Sequence, residues 1–127
     1  MNLLLDTHTF LWFSEDNKSL SKNAKSLIED IENNCIISIA SLWEMAIKIS
    51  LKKLKIKLDF KQMLEEINKH DFMLLPIDFE HTVELTSMEF HHRDPFDRLL
   101  IAQSIVENLT IISIDEIFDK YNVKRIW

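Results

Sequence analysis

Apolar residues recur along this chain in two kinds of block. Short continuous runs predict strands buried on both faces. Asn2 to Leu5 is the first, ending in Asp6; Cys35 to Ile39 is the second, and Phe72 to Leu75, stopped by Pro76, is the third. Leu109 to Ile114 is a fourth, and Val123 to Ile126 a possible fifth. Between them the apolar positions fall three and four apart, the spacing of one helix face. Ser21 to Ile31 shows Ala24, Leu27, Ile28 and Ile31; Ser41 to Leu51 shows Leu42, Met45, Ala46 and Ile49; Phe60 to Asn68 shows Phe60, Met63, Leu64 and Ile67. Phe79 to Met88 and Pro95 to Val106 continue the pattern, with Pro95 at a first helical position, where its missing N–H costs nothing. Thr7 to Phe13 and Asp115 to Lys120 read as short helices.

Strands that alternate with helices pair in parallel through right-handed crossovers. The expected fold is α/β, a three-layer α/β/α sandwich around a mostly parallel sheet of four to five strands. The 127 residues suit a single domain, residues 1–127, and no linker or repeat interrupts them. No apolar stretch reaches the roughly 18–20 residues of a membrane span. The opening Met1-Asn2-Leu3-Leu4-Leu5-Asp6 lacks the basic start and apolar length of a signal peptide, so a cytoplasmic location is expected. The single Cys35 accords with a reducing compartment.

Composition narrows the chemistry. The chain has no glycine, which removes Walker-type and dinucleotide-binding phosphate loops and leaves tight turns to Asn, Asp and Lys, as at Asn33-Asn34 and Glu107-Asn108. A net charge of −6 opposes nucleic-acid binding by bulk electrostatics, although a bound cation or a local basic patch offsets this. Lys48, Lys52, Lys53, Lys55 and Lys57 fall in one stretch, read first as a solvated helix end and second as an RNA-guiding patch.

Acids stand where open parallel sheets bind ligands, beyond the carboxyl ends of the strands. Asp6 ends the first strand, Glu44 lies in the first turn of the helix after the second, and Asp115 follows the fourth. Asp97, in the first turn after Pro95, joins them if that helix start faces the same edge. Each acid also has a structural reading. Ser41-Leu42-Trp43-Glu44 matches a capping box, Asp94-Pro95-Phe96-Asp97 a cap with a dipole-favoured acid, and Ser113-Ile114-Asp115 another cap. Capping explains single acids, not their meeting at one edge. Carboxylates gathered there repel, one of them then has a raised pKa, and a hard divalent cation resolves the conflict.

These residues resemble the PIN-domain ribonucleases, particularly the VapC-type toxins of bacterial toxin–antitoxin pairs. The resemblance rests on Leu3-Leu4-Leu5-Asp6-Thr7-His8, on Ser41-Leu42-Trp43-Glu44-Met45-Ala46-Ile47-Lys48, on His91 through Gln103 with its Asp94-Pro95-Phe96-Asp97-Arg98, and on Ile112-Ser113-Ile114-Asp115 followed by Phe118 and Tyr121. It implies Mg²⁺- or Mn²⁺-dependent RNA cleavage, with metal-binding and catalytic roles for Asp6, Glu44, Asp97 and Asp115. It also implies an RNA substrate, a cognate antitoxin, and a homodimer or toxin–antitoxin hetero-oligomer. Two departures stand out: Lys52 or Lys53 where many relatives carry glycine, and Ser113 where Thr is usual.

Supporting roles are expected around these acids. Asp94 is read as a cap beside the site, Thr7 and Ser113 as hydrogen-bonding neighbours, and Arg98 as a partner of Asp94 or Glu44. His91 and His92 read first as plain loop residues and second as RNA contacts or proton donors, and His8 stands near the site with no required role; zinc spacing is absent. Trp12, Phe13 and Trp43 read as core, or else as a partner-binding groove. An aspartyl phosphatase wants a second acid where His8 stands. The remaining alternative is a non-catalytic receiver-like or scaffold domain with a metal-binding acidic pocket, which wants paired acids at the first strand end and a lysine after the last.

Overall fold

The structure, a computed structural model, describes residues 1–127. Strand β1 (Asn2–Leu5) leads directly into helix α1 (Thr7–Ser14), followed by α2 (Lys22–Glu29), β2 (Asn34–Ser38) and α3 (Ile39–Ser50). A 3₁₀ turn (Phe60–Gln62) runs into α4 (Met63–Lys69), then β3 (Met73–Leu75), α5 (Phe79–Ser87) and α6 (Pro95–Glu107). Strand β4 (Thr110–Ile112), a second 3₁₀ turn (Glu116–Lys120) and β5 (Lys124–Ile126) complete the chain. The five strands lie in the order β3-β2-β1-β4-β5, and every pairing is parallel.

Alternation along the strands builds the three layers. Leu3, Leu5, Cys35, Ile37 and Ile112 face one side, where Phe10, Leu11, Ala24, Ile28 and Ile67 of α1, α2 and α4 cover them. Leu4, Ile36 and Ile111 face the other, against Leu99, Leu100 and Ile101 of α6 and Phe118. Leu3, Leu4 and Leu5 are all fully buried, because β1 is the central strand and both its faces are covered. The chain winds outward from β1 through β2 to β3, then crosses back to β4 on the opposite side. That reversal opens a crevice beyond the ends of β1 and β4. No helix is long and apolar enough to cross a membrane.

Several element ends shift by one or two residues from the sequence expectation, and two of these shifts bear on the acids. Helix α3 starts at Ile39, not Ser41, since the buried Ser38 hydroxyl accepts the Ala40 N–H at 3.0 Å and caps it. Glu44 therefore lies in the second turn, too far in to cap. Strand β4 ends at Ile112 rather than Ile114; just past it the Ser113 hydroxyl turns to Asp6, while its N–H still donates to Ile126 O of β5 at 3.2 Å.

Without glycine, the left-handed positions fall to Asp16, Lys52, Asp71 and Asn108. The Asn33-Asn34 turn needs none of them. Lys52, at φ 58°, ends α3: its N–H bonds Ile49 O at 3.0 Å and the Lys53 N–H bonds Lys48 O at 2.8 Å. The helix end keeps a glycine-type closure with a side chain in place, at a cost of roughly 1–2 kcal/mol. Lys52→Gly removes that cost and adds about 0.5–1 kcal/mol of unfolded-chain entropy. Urea unfolding should show a net gain of up to ~1 kcal/mol. A loss would mean that the Lys52 side chain contributes more than its backbone strain.

Candidate active site

Asp6 is placed by two adjoining elements. It follows β1 with no intervening loop and caps α1, its Oδ1 accepting the Thr9 N–H at 2.9 Å. Its Oδ2 accepts the Ser113 hydroxyl, which arrives from the end of the neighbouring β4. Thr9 ties the same corner by donating its hydroxyl to Ile112 O at 3.0 Å. Burial raises the Asp6 pKa, and the Ser113 and Thr9 hydrogen bonds partly offset that rise.

Glu44 reaches the corner from α3. One oxygen accepts the Thr7 hydroxyl at 2.7 Å, and the other accepts Lys48 Nζ at 2.6 Å. The carboxylate is 5% exposed, so the ammonium four residues on offsets much of the cost of burying its charge. The Glu44 hydrogen bond in turn raises the Lys48 pKa. The capping box is thereby replaced: Glu44 bonds side chains of α1 and α3, while the buried Ser41 hydroxyl has no partner.

Helix α6 brings the third group. Asp94 caps it, Oδ1 accepting the N–H groups of Phe96 and Asp97 at 2.9 Å each. Asp97, in the first turn, is pushed up to about 7, first by burial and then by Asp94, Glu44, Asp6 and Asp115 in that order. His92 Nε2 lies 3.2 Å from its Oδ2. Asp115 caps the second 3₁₀ turn, accepting the Ile117 N–H at 3.0 Å, and its own N–H bonds Ser113 Oγ at 3.0 Å.

All four predicted acids line one cleft of about 370 Å³, with Thr7, His8, Trp12, Lys48, Asp94 and Ile114. A family model described as "PIN domain" matches residues 3–124. The chain belongs to the PIN-domain family. A search of curated proteins finds no match by sequence. Among solved structures, this PIN domain is similar to VapBC2 from Rickettsia felis bound to a DNA fragment from their promoter. That alignment has a TM-score of 0.71, 16% identity, and covers 100% of this chain and 99% of that one. It is also similar to FitAcB from Neisseria gonorrhoeae, with a TM-score of 0.70, 15% identity, and 98% and 96% of the two chains covered. FitAB bound to an IR36 DNA fragment aligns with a TM-score of 0.67, 15% identity, and 98% and 93% covered.

Several supporting residues of this PIN domain stand elsewhere than expected. Arg98 does not pair with Asp94 or Glu44. One position past Asp97, it is turned away from the cleft and buried, bonding Glu89 O at 2.8 Å, Met88 O at 3.3 Å and the Tyr121 hydroxyl at 3.2 Å. Its guanidinium also lies 3.9 Å from the Phe90 ring centroid. The lysine stretch divides: Lys48 lines the cleft, whereas Lys52, Lys53, Lys55 and Lys57 are exposed beyond it. Its i,i+4 spacing from Glu44 was the signal for that pair.

The aromatics divide too. Phe13 packs inward against Phe72 and His70, Trp12 lies edge-on to Trp127 at the cleft, and the half-exposed Trp43 leans on Phe96. Three ligand-type side chains whose donor atoms lie within 4.8 Å occur outside the cleft, at Asp78, His81 and Glu107. There His81 Nδ1 accepts the Asp78 N–H at 3.0 Å, closing the start of its own helix, and Nε2 meets Glu107 at 3.0 Å, joining α5 to α6. The cleft acids stand wider, as mutual repulsion requires, and their all-oxygen donor set suits a hard cation that keeps part of its water shell.

The Asp97 shift has a consequence for stability. Unfolded, this carboxyl titrates near 3.8; folded, near 7, so between those values the folded protein binds the extra proton. Metal-free protein should therefore lose stability as pH rises through that window, by on the order of 2–4 kcal/mol. Asp97→Asn should remove most of the loss and raise the melting temperature in EDTA above pH 7. Equal pH slopes for the two proteins would show that Asp97 does not carry the repulsion.

Proposed function

We propose that this PIN domain is a metal-dependent endoribonuclease, the toxin of a toxin–antitoxin pair. The observation that carries the reading is the convergence of Asp6, Glu44, Asp97 and Asp115 on one cleft at the sheet's switch point. Asp6, Glu44 and Asp97 are assigned to hold Mg²⁺ or Mn²⁺, with Asp115 joining directly or through water. Bound there, the cation would offset charge on the phosphodiester and acidify the attacking water. The protein's own contribution is placement. Ser113 and the Thr9 N–H hold Asp6, Thr7 and Lys48 hold Glu44, and Asp94 sets the start of α6 so that Asp97 faces the cleft. Lys48, half-exposed beside the acids, is the cation available to an approaching phosphate. A receiver-like role is disfavoured, since Leu5 precedes Asp6 and Ile114 stands where such a site wants a lysine.

Asp6→Asn preserves shape and removes charge, so cleavage of single-stranded RNA should fall by orders of magnitude while the fold persists. Wild-type cleavage should need Mg²⁺ or Mn²⁺, stop in EDTA and have no requirement for zinc. Full activity in a folded Asp6→Asn variant, or after thorough chelation, would overturn the assignment.

The resemblance to VapC-type toxins supports a cognate antitoxin, and similar solved structures include VapBC2 and FitAB. An acidic cleft in a chain of charge −6 attracts cations, and arginine grips carboxylates by a bidentate fork. The antitoxin segment is assigned to Trp12 at the cleft and the exposed Trp43, with an Arg or Lys placed among the acids. Coexpression with an adjacent small gene should yield a copurifying, inactive pair. A pair that copurifies with full activity would refute the blocking model, and unchanged affinity in Trp12→Ala and Trp43→Ala would misplace the surface.

A further inference from the structure

We infer that His92 is a positioning residue for Asp97, held in one tautomer by Tyr121. The inference rests on the reading of Asp97 as a metal ligand and extends it to a residue that the sequence reads first as part of a loop.

The tautomer follows from counting donors. The Tyr121 hydroxyl oxygen has four polar neighbours: the backbone nitrogens of His91 at 3.2 Å and His92 at 3.3 Å, Arg98 Nη1 at 3.2 Å, and His92 Nδ1 at 2.8 Å. Backbone N–H groups and a guanidinium only donate. The phenolic proton therefore has one acceptor among these neighbours, His92 Nδ1, which is also the nearest. A proton on Nδ1 would leave the hydroxyl facing four donors and no acceptor. The ring proton accordingly sits on Nε2, and Nε2 donates to Asp97 Oδ2 at 3.2 Å.

The frame behind this contact is stiff. Tyr121 and Arg98 are both buried, and Arg98 is itself held by the carbonyls of Met88 and Glu89. His92 packs edge-on to the Tyr121 ring, with centroids 5.5 Å apart. Asp97 would otherwise turn about its own side-chain torsions, pushed by four neighbouring acids. His92 takes Oδ2 and leaves Oδ1 without a protein partner. Hydrogen bonds that orient metal-ligating side chains in this way typically govern 10–100-fold in metal affinity. Arg98 thus serves Asp97 at two removes, through Tyr121 and His92, rather than by pairing with an acid.

The test is Mn²⁺ binding to RNA-free protein, measured by electron paramagnetic resonance of free Mn²⁺, with circular dichroism confirming the fold. His92→Ala and Tyr121→Phe should each weaken Mn²⁺ binding about 10–100-fold. His92→Gln, whose amide N–H₂ reaches the place of Nε2, should restore much of it. In RNase assays His92→Ala should shift the Mn²⁺ activation curve to higher concentration with little change in kcat at saturation. Wild-type affinity in folded His92→Ala and Tyr121→Phe, with binding still lost in Asp97→Asn, would overturn the positioning role and leave the ligand reading standing. Failure of the wild type itself to bind Mn²⁺ would overturn both.

Discussion

Repulsion among carboxylates at the carboxyl edge of β1 and β4 is the constraint around which the rest of this structure is arranged. Parallel strands end together, so a residue just past β1 and one just past β4 are neighbours whatever their charge. The protein adds Glu44 from α3 and Asp97 from α6 to that corner and then contains the result. Hydroxyls from Thr7 and Ser113, the Thr9 N–H, the Lys48 ammonium and the His92 ring each take a carboxylate oxygen. At Asp97 burial first, and then the repulsion these contacts leave uncompensated, raises the pKa to about 7.

The scaffold is built to resist that stress. β1 is sealed between two apolar layers, and Asp6 follows it without a loop, so the central acid cannot retreat from the others. Helices α1, α3 and α6 all start at this edge, each with an oxygen side chain at its cap: Asp6, Ser38 and Asp94. Their N-terminal dipole ends favour negative charge there. The same features that let carboxylates gather would favour a cation over a bare acidic cleft, which links the folding energetics to the proposed metal chemistry.

Arg98 shows how position overrides chemistry. An arginine one residue from an acid and four from another invites an ion-pair reading, yet a step of one along a helix rotates the side chain by about 100°. Arg98 is carried to the loop at Met88 to Phe90, where carbonyls and an aromatic face satisfy it. The aromatic residues follow the same rule: Phe13 and Trp12 are adjacent in sequence, but one enters the core and the other meets the cleft.

The sequence by itself determined the layers and the places of Asp6 and Asp115. Continuous apolar runs alternating with helical periodicity allow little else than a covered parallel sheet, and Asp6 and Asp115 follow strand ends so closely that local order locates them. Asp97's membership depended on where α6 begins in space, which no local pattern states. The turning of Ser113 toward Asp6 and the pairing of Thr7 with Glu44 each join residues far apart in the chain. His92 is the clearest case. As a histidine before a helix it carries no signal, and its tautomer depends on Tyr121, twenty-nine residues away, and on Arg98 behind it. Local spacing encodes which face a side chain takes; only tertiary packing decides what meets it there, because hydrogen-bond partners are chosen by distance in space and not along the chain.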